Sequence, residues 1–224
     1  MTVRTDSLLQ QLFEKMLAAF GPQGWWPGET PFEVALGAIL TQNTNWNNVA
    51  RVIGGLKEAG LLDPRALQAL PEAELAGRLR PAGYFNVKAR RLINFLEFLG
   101  QFEHSMEVLA QGDLEVLRPA LLAVKGIGPE TADSILLYAL DQPTFVVDAY
   151  TFRILSRHGL AAGPSTYEEL RQLFMEHLPP EVPCYQEYHA LLVRLGKEFC
   201  RPQPRCAVCP LHGWPQGWQA PLGD

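Results

Sequence analysis

The sequence predicts an all-α protein, and three observations carry that prediction. Apolar residues recur at three- and four-residue spacing in segment after segment, beginning with Leu8, Leu9, Leu12, Phe13, Met16 and Leu17. Helix-start signatures stand ahead of these segments, among them Thr30-Pro31 with Glu33, Asp63-Pro64, and Ser165 with Glu168. No stretch alternates apolar and polar residues as a half-buried strand does, and no fixed-period repeat occurs. The pattern implies about ten to twelve helices with short connections.

Taken in order, the first helix covers residues 5 to 20 and stops at Gly21-Pro22. A loop follows with Trp25 and Trp26 side by side, before Thr30 caps the helix FEVALGAIL, which is expected to run to Gln42. The polar residues Thr41 to Asn45 interrupt it, and a second helix continues from Trp46 to Lys57. Asp63-Pro64 and Leu70-Pro71 open two short helices. Gly83 marks a turn, Asn86 is the expected cap of VKARRLINFLEFLG, and Gly112-Asp113 open a helix ending near Val124. The hairpin Val124-Lys125-Gly126-Ile127-Gly128 then leads through Pro129 into the helix ETADSILLYAL. Phe145 to Asp148 is strand-like in propensity but has no partner strand, so it reads as an extended entry to AYTFRILSRHG. Ser165 and Glu168 form a capping box for a helix to His177. Pro179, Pro180 and Pro183 separate that helix from the last one, YQEYHALLVRLGKEF.

A chain of 224 residues can bury a core without disulfide staples. Its net charge of −5 means that any contact with a polyanion rests on local basic patches rather than overall charge. No apolar run is long enough to span a membrane, and the amphipathic start, with Asp6 and Glu14, does not resemble an export signal. The expected location is therefore the cytoplasm, and the four cysteines (Cys184, Cys200, Cys206 and Cys209) suggest a metal site rather than disulfides.

Two features promise chemistry. In the hairpin, Gly126 and Gly128 can adopt backbone angles closed to other residues and let the main chain approach a ligand closely. The helix opening at Pro129 offers free N–H groups and a positive dipole end, a natural phosphate site that reads no base. A tight corner serving only the fold fits the same residues. Asp148 follows the apolar run Phe145-Val146-Val147, where burial is expected to raise its pKa and intensify its charge. It also suits the N-cap of the following helix, and both roles can hold at once.

KGIGPETADSILLYA followed by VVDAYTFRIL resembles the helix–hairpin–helix, Gly/Pro-rich loop and aspartate superfamily of DNA glycosylases. Three further segments match that family in order. Leu40–Thr44 resembles its DNA-entering loop, Arg80–Leu92 its second DNA-facing loop, and the cysteine tail the iron–sulfur loop of endonuclease III. The resemblance spans residues 30 to 210 and implies two helical lobes, 28–143 and 1–27 with 144–224, with a DNA-binding cleft, the helix-hairpin-helix motif and a C-terminal iron–sulfur loop.

The departures narrow the reading. Where endonuclease III carries its Schiff-base lysine, this chain has Glu130, and a carboxylate cannot form a Schiff base. Trp25-Trp26-Pro27, the LTQNT loop and Glu130 together resemble the bacterial 3-methyladenine glycosylases of endonuclease III type. The implied activity is monofunctional excision of alkylated purines from double-stranded DNA by base flipping, leaving an abasic site for an AP endonuclease. Trp25, Trp26, Trp46 and Glu130 are then expected in the base pocket, though the tryptophans equally suit an aromatic plug. Asp148 would stabilise the positive sugar. Gln42 would fill the vacated stack and Tyr84 wedge it. Lys88, Lys125, Gly126 and Gly128, with Arg90 and Arg91, would grip phosphates. The enzyme is expected to act as a monomer at the nucleoid. Two rivals stay open: a glycosylase/lyase for oxidised pyrimidines using an amine such as Lys125, and an inert module that binds damaged DNA.

Cys200-x5-Cys206-x2-Cys209 has metal-ligand spacing. The resemblance implies a [4Fe–4S] cluster, with zinc as runner-up. The family's C-x6-C-x2-C-x5-C pattern is one residue short in its first gap, and Pro215 stands where its fourth cysteine would be. Cys184, His212 or no residue at all stands as the fourth ligand. If the last helix is unbroken, Cys184 lies about 22 Å from its far end; His212 is closer in the chain and raises the Cys3His zinc reading.

Overall fold

The computed structural model describes residues 5–161 and 165–215. Among them are twelve α-helices, two 3₁₀ turns and no strand. The chain divides into two compact units, one of Trp26–Gln142 and the other of Met1–Trp25 with Pro143–Asp224.

After α1 (Thr5–Phe20) of the other unit, the continuous unit holds α2 (Pro31–Leu40), α3 (Trp46–Glu58), α4 (Pro64–Gln68), α5 (Glu72–Arg78), α6 (Phe85–Gly100), α7 (Met106–Leu109), α8 (Leu114–Ala123) and α9 (Pro129–Ala139). Its centre is the pair α2 and α9. Every residue of α2 from Phe32 to Leu40 is buried, as is α9 from Thr131 to Ala139. Helices so enclosed can be apolar on most sides, and the polar side chains they do bury, Glu33 on α2 and Thr131, Asp133 and Ser134 on α9, lie inside the core. Thr30 caps α2 by accepting from the Glu33 amide at 3.2 Å, and Lys57 pins that start with 2.9 Å ion pairs to Glu29 and Glu33. The fully buried Asp133 of α9 takes a two-pronged bond from Arg118 of α8, at 2.8 and 3.0 Å, locking the two arms of the hairpin.

The discontinuous unit contains α1 (Thr5–Phe20), α10 (Ala149–Arg157), α11 (Tyr167–His177) and α12 (Val182–Glu198). α12 packs against both α1 and α10. Phe145, from the extended segment, stacks on Phe174 at 3.9 Å and meets Tyr185 and Tyr188 edge-on. The buried Tyr188 hydroxyl donates to the Leu9 carbonyl at 2.8 Å, so its polar tip is satisfied inside the core. Gly196 permits the close crossing of α10 over α12, since a Cβ there would overlap the Tyr150 ring.

Several boundaries differ from those expected. α2 ends at Leu40 rather than Gln42, where Thr41 turns its hydroxyl back onto the Gly37 carbonyl. α6 starts at Phe85, with Tyr84 rather than Asn86 at the cap, in the left-handed region at φ 46. The capping box of α11 is Thr166 with Glu169, one residue beyond Ser165 and Glu168, because burial of Leu170 and Phe174 sets the helix register. Pro183 lies inside the first turn of α12, where a missing N–H costs nothing. The short α7 and the 3₁₀ turns Arg80–Ala82 and Cys206–Val208 were not foreseen.

Replacing Arg118 with Met leaves the Asp133 carboxylate buried without its cation. The expected loss is about 3–5 kcal/mol, read from urea denaturation of the full chain. A loss under about 1 kcal/mol would show that the pair does not hold the hairpin arms together.

Candidate functional site

The hairpin is built as one turn between α8 and α9. The Val124 amide closes on Leu121 and the Ile127 amide on Val124, each at 3.0 Å. Gly126 carries φ +98, and a Cβ there would run into Arg91. Gly128, expected to need unusual angles as well, is extended at φ −93 and ψ 176, a conformation open to any residue. What Gly128 offers is space, since a Cβ would meet nothing within 4 Å. Pro129 follows at the first helical position, and the exposed Lys125 and Glu130 flank the turn.

The LTQNT loop is tied to this turn. The Gln42 amide donates to the Thr131 hydroxyl at 2.8 Å and, more weakly, to the Gly126 carbonyl at 3.4 Å. Its oxygen accepts from Arg91. Arg91 therefore both packs beneath Gly126 and holds Gln42, a linkage that spacing along the chain does not reveal. Tyr84, by contrast, is 71% exposed on its left-handed backbone, with Val87 exposed one turn on. A bulky residue at positive φ is strained, and such strain persists where surrounding structure imposes it.

Lys88 requires a correction. It is 1% exposed, and its ammonium donates to the Ala82 carbonyl at 2.7 Å, closing the turn before α6. Burial, with Arg91 nearby, pushes its pKa down. Lys88 is a structural cation, not a phosphate ligand. Arg90 on the same helix pairs with Glu72 and stays largely exposed.

Asp148 is both cap and buried carboxylate. Its Oδ1 accepts from the Thr151 amide at 2.8 Å and the Thr151 hydroxyl at 2.9 Å, completing a capping box at the start of α10. Its Oδ2 lies 3.7 Å from Nε2 of His189 on α12, an electrostatic contact longer than a direct hydrogen bond. The expected rise in its pKa is not found. Burial does push it up, but His189 and the Thr151 donors outweigh burial and leave it below the usual carboxylate value. His189, buried at 5% exposure, was missed in the sequence. The available signal was a histidine on an apolar helix face, which demands a polar partner without naming it.

The tryptophans separate between the two units. Trp25 stacks on His189 at 6.1 Å, with the Lys197 ammonium 5.2 Å from its ring centre. Trp26 meets Trp46 edge-on at 5.7 Å and Tyr138 at 5.2 Å, and Gly37 gives both indoles room against α2.

Cys200, Cys206, Cys209 and His212 line a small recess of about 20 Å³ together with Leu195, Phe199 and Leu211. Among the described residues no three His, Cys, Asp or Glu side chains already converge on one point at metal-ligand distance. Arg157 of α10 directs its guanidinium to the Cys200 sulfur at 3.4 Å and to the carbonyls of Arg201 and Pro202. No described helix is long and apolar enough to cross a membrane.

The sequence profile of the HhH-GPD superfamily base excision DNA repair proteins matches residues 36–180. The chain belongs to that superfamily. A protein of Methanocaldococcus jannaschii, provisionally named a DNA repair glycosylase, is 44% identical over 91% of this chain and 94% of its own length. The crystal structure of the H. pylori 3-methyladenine DNA glycosylase bound to 1,N6-ethenoadenine is 31% identical, covers 88% of this chain and 98% of that one, and superposes with a TM-score of 0.75. A non-covalent endonuclease III–DNA complex shares the fold, with a TM-score of 0.78 at 23% identity over 93% of this chain and 94% of that one. This HhH-GPD member is thus a DNA repair glycosylase of the endonuclease III family.

Lys88 and Lys125 differ in a measurable way. Lys125→Ala is expected to lower the salt dependence of DNA binding by about one phosphate, a slope change of about 0.9. Lys88→Met should destabilise the fold and leave that slope unchanged. Equal slope losses would return Lys88 to the phosphate contacts.

Proposed function

We propose that this enzyme is a monofunctional glycosylase that hydrolyses the N-glycosidic bond of alkylated purines, 3-methyladenine foremost, after flipping the base from duplex DNA. The observation that carries this reading is that Asp148 is a preorganised carboxylate while Glu130, not lysine, opens α9. The 31% identity to a 3-methyladenine glycosylase supports the substrate class.

An N-alkylated purine is already a good leaving group, so the enzyme's task is to stabilise the sugar as it becomes positive. Asp148 suits that task. Thr151 fixes one oxygen, and a depressed pKa keeps the group charged where an ordinary carboxyl begins to protonate. Charge held ready in a site of low polarity is worth more than in water. His189 acts as a positioning residue by holding Oδ2. Trp26 and Trp46 supply flat walls for a stacked purine, worth about 1–3 kcal/mol per base. Tyr84 is the wedge, while Gln42 must release Thr131 before it can fill a vacated stack. The hairpin, with Lys125, Gly126 and Gly128, grips the backbone without reading bases. The product is an abasic site, which calls for an AP endonuclease next, and the enzyme acts as a monomer.

The metal group implied by the family fits the recess of Cys200, Cys206 and Cys209 in donor type and in enclosure by apolar side chains. A [4Fe–4S] cluster there would be structural, cross-linking the loop to α10 and α12 through Cys200 and the arginines that hold it.

Asp148→Asn preserves the helix cap, since asparagine caps as well as aspartate. It is expected to lower excision of 3-methyladenine by at least about 10²–10³-fold while DNA affinity is retained. Borohydride with abasic DNA is expected to trap no covalent adduct. Wild-type excision by Asp148→Asn, or a strong adduct, would overturn the reading.

The pH profile tests His189. A depressed carboxyl pKa keeps the active anion present as pH falls, so the acid limb of kcat/KM should lie below the ordinary carboxylate range. His189→Gln removes the imidazole that holds the pKa down and leaves burial, which raises it, so the limb should move to higher pH. An unmoved limb would limit His189 to packing.

A further inference from the structure

We propose that His212, through Nε2, completes with Cys200, Cys206 and Cys209 a Cys3His ligand set for the metal group of the C-terminal loop. This inference rests on the reading of the recess as a metal site and adds its missing ligand.

Four observations lead to His212. First, the recess is lined by all three cysteines and by His212, whereas Cys184 is not among its walls. Second, α12 runs unbroken from Val182 to Glu198, so it is about 25 Å long at 1.5 Å per residue. Cys184 lies in its first turn and Cys200 just past its end, which removes Cys184 from reach. Third, Cys206, Cys209 and His212 follow one another with two residues between each, and the 3₁₀ turn Cys206–Val208 folds this stretch back on itself. The His212 amide bonds the Cys209 carbonyl at 2.9 Å, so the three residues share one tight chain reversal.

The fourth observation is the imidazole itself. Nδ1 of His212 lies 3.1 Å from the Cys206 carbonyl, which can only accept a proton. A neutral ring bonded this way carries its proton on Nδ1 and leaves the Nε2 lone pair free. Metal-ligating histidines are typically oriented by just such a bond from the other nitrogen. His212 is exposed at the rim of the recess, so its ring can adjust to a bound group without disturbing the core.

His158 is the competing imidazole, because it also lines the recess. It is buried, its Nδ1 meets the Trp214 carbonyl at 2.8 Å, and its ring packs against Trp214 at 5.5 Å. That environment fits a residue anchoring Trp214 against α10. His158 also lacks the chain proximity that lets His212 close on the metal with Cys206 and Cys209.

The test uses the full chain, reconstituted anaerobically with iron and sulfide and, separately, loaded with zinc. Iron, sulfide and zinc are counted per chain. Pulsed EPR of the reduced protein looks for a directly bonded nitrogen. Wild type is expected to hold the cluster with a strong nitrogen coupling. His212→Ala should cut metal retention about tenfold or more, and His212→Cys should restore the cluster without the nitrogen signal. Cys184→Ala should change neither. Undiminished metal and nitrogen coupling in His212→Ala, loss of the cluster in Cys184→Ala, or loss of the nitrogen signal in His158→Ala would each overturn the assignment. Zinc bound by three sulfurs and the His212 nitrogen, with no iron taken up, would support the ligand set and overturn the cluster. A chain that retains neither metal would overturn both.

Discussion

The bond between Asp148 and Thr151 is the constraint on which the rest of the proposed site depends. One oxygen of this carboxylate caps the Thr151 amide in the first turn of α10, and the carboxylate is the same group that the chemistry would employ. A carboxylate needs such partners to remain charged when buried, and helix N-termini provide them most economically. Cap and reactive acid are therefore one role seen from two sides. The cap sets the direction of α10, and α10 in turn carries Arg153 and Arg157 to the Cys200 carbonyl and sulfur. The acid and the cysteine loop are thus anchored to opposite ends of a single helix.

α12 organises the discontinuous unit around that helix. Its first half places Tyr185 and Tyr188 in the aromatic core. Its middle brings His189 to Asp148, and its last turn sets Lys197 against Trp25. Gly196 lets Tyr150 approach, and this closeness allows a histidine on one helix to influence the cap of another. In the continuous unit, Asp133 and Arg118 perform a comparable service, holding α8 and α9 so that the turn between them presents Gly126 and Gly128.

Much of this is legible in the amino-acid sequence. The hairpin, the lone acid after Phe145-Val146-Val147, the paired tryptophans and the cysteine spacing each announced themselves through local chemistry. Lys88 shows where that legibility fails. In sequence it is one of several cations on an amphipathic helix, and only the fold shows its ammonium closing on Ala82. Gly128 fails in a milder way, because a glycine chosen for space looks the same in sequence as one chosen for angle. Thr166 and Glu169 displaced Ser165 and Glu168 because two adjacent caps compete, and side-chain burial several residues later decides between them.

The sequence by itself determined the helical class, the superfamily motifs, and the absence of a lysine where Glu130 stands. These rest on covalent order and on short-range rules of spacing, capping and turn formation. The tertiary structure alone decided that His189 faces Asp148, that the acid's pKa falls rather than rises, and that His212 rather than Cys184 borders the cysteine recess. Burial and electrostatic balance depend on contacts between residues distant in the chain, and no local pattern encodes which of two helices will cross at a given glycine.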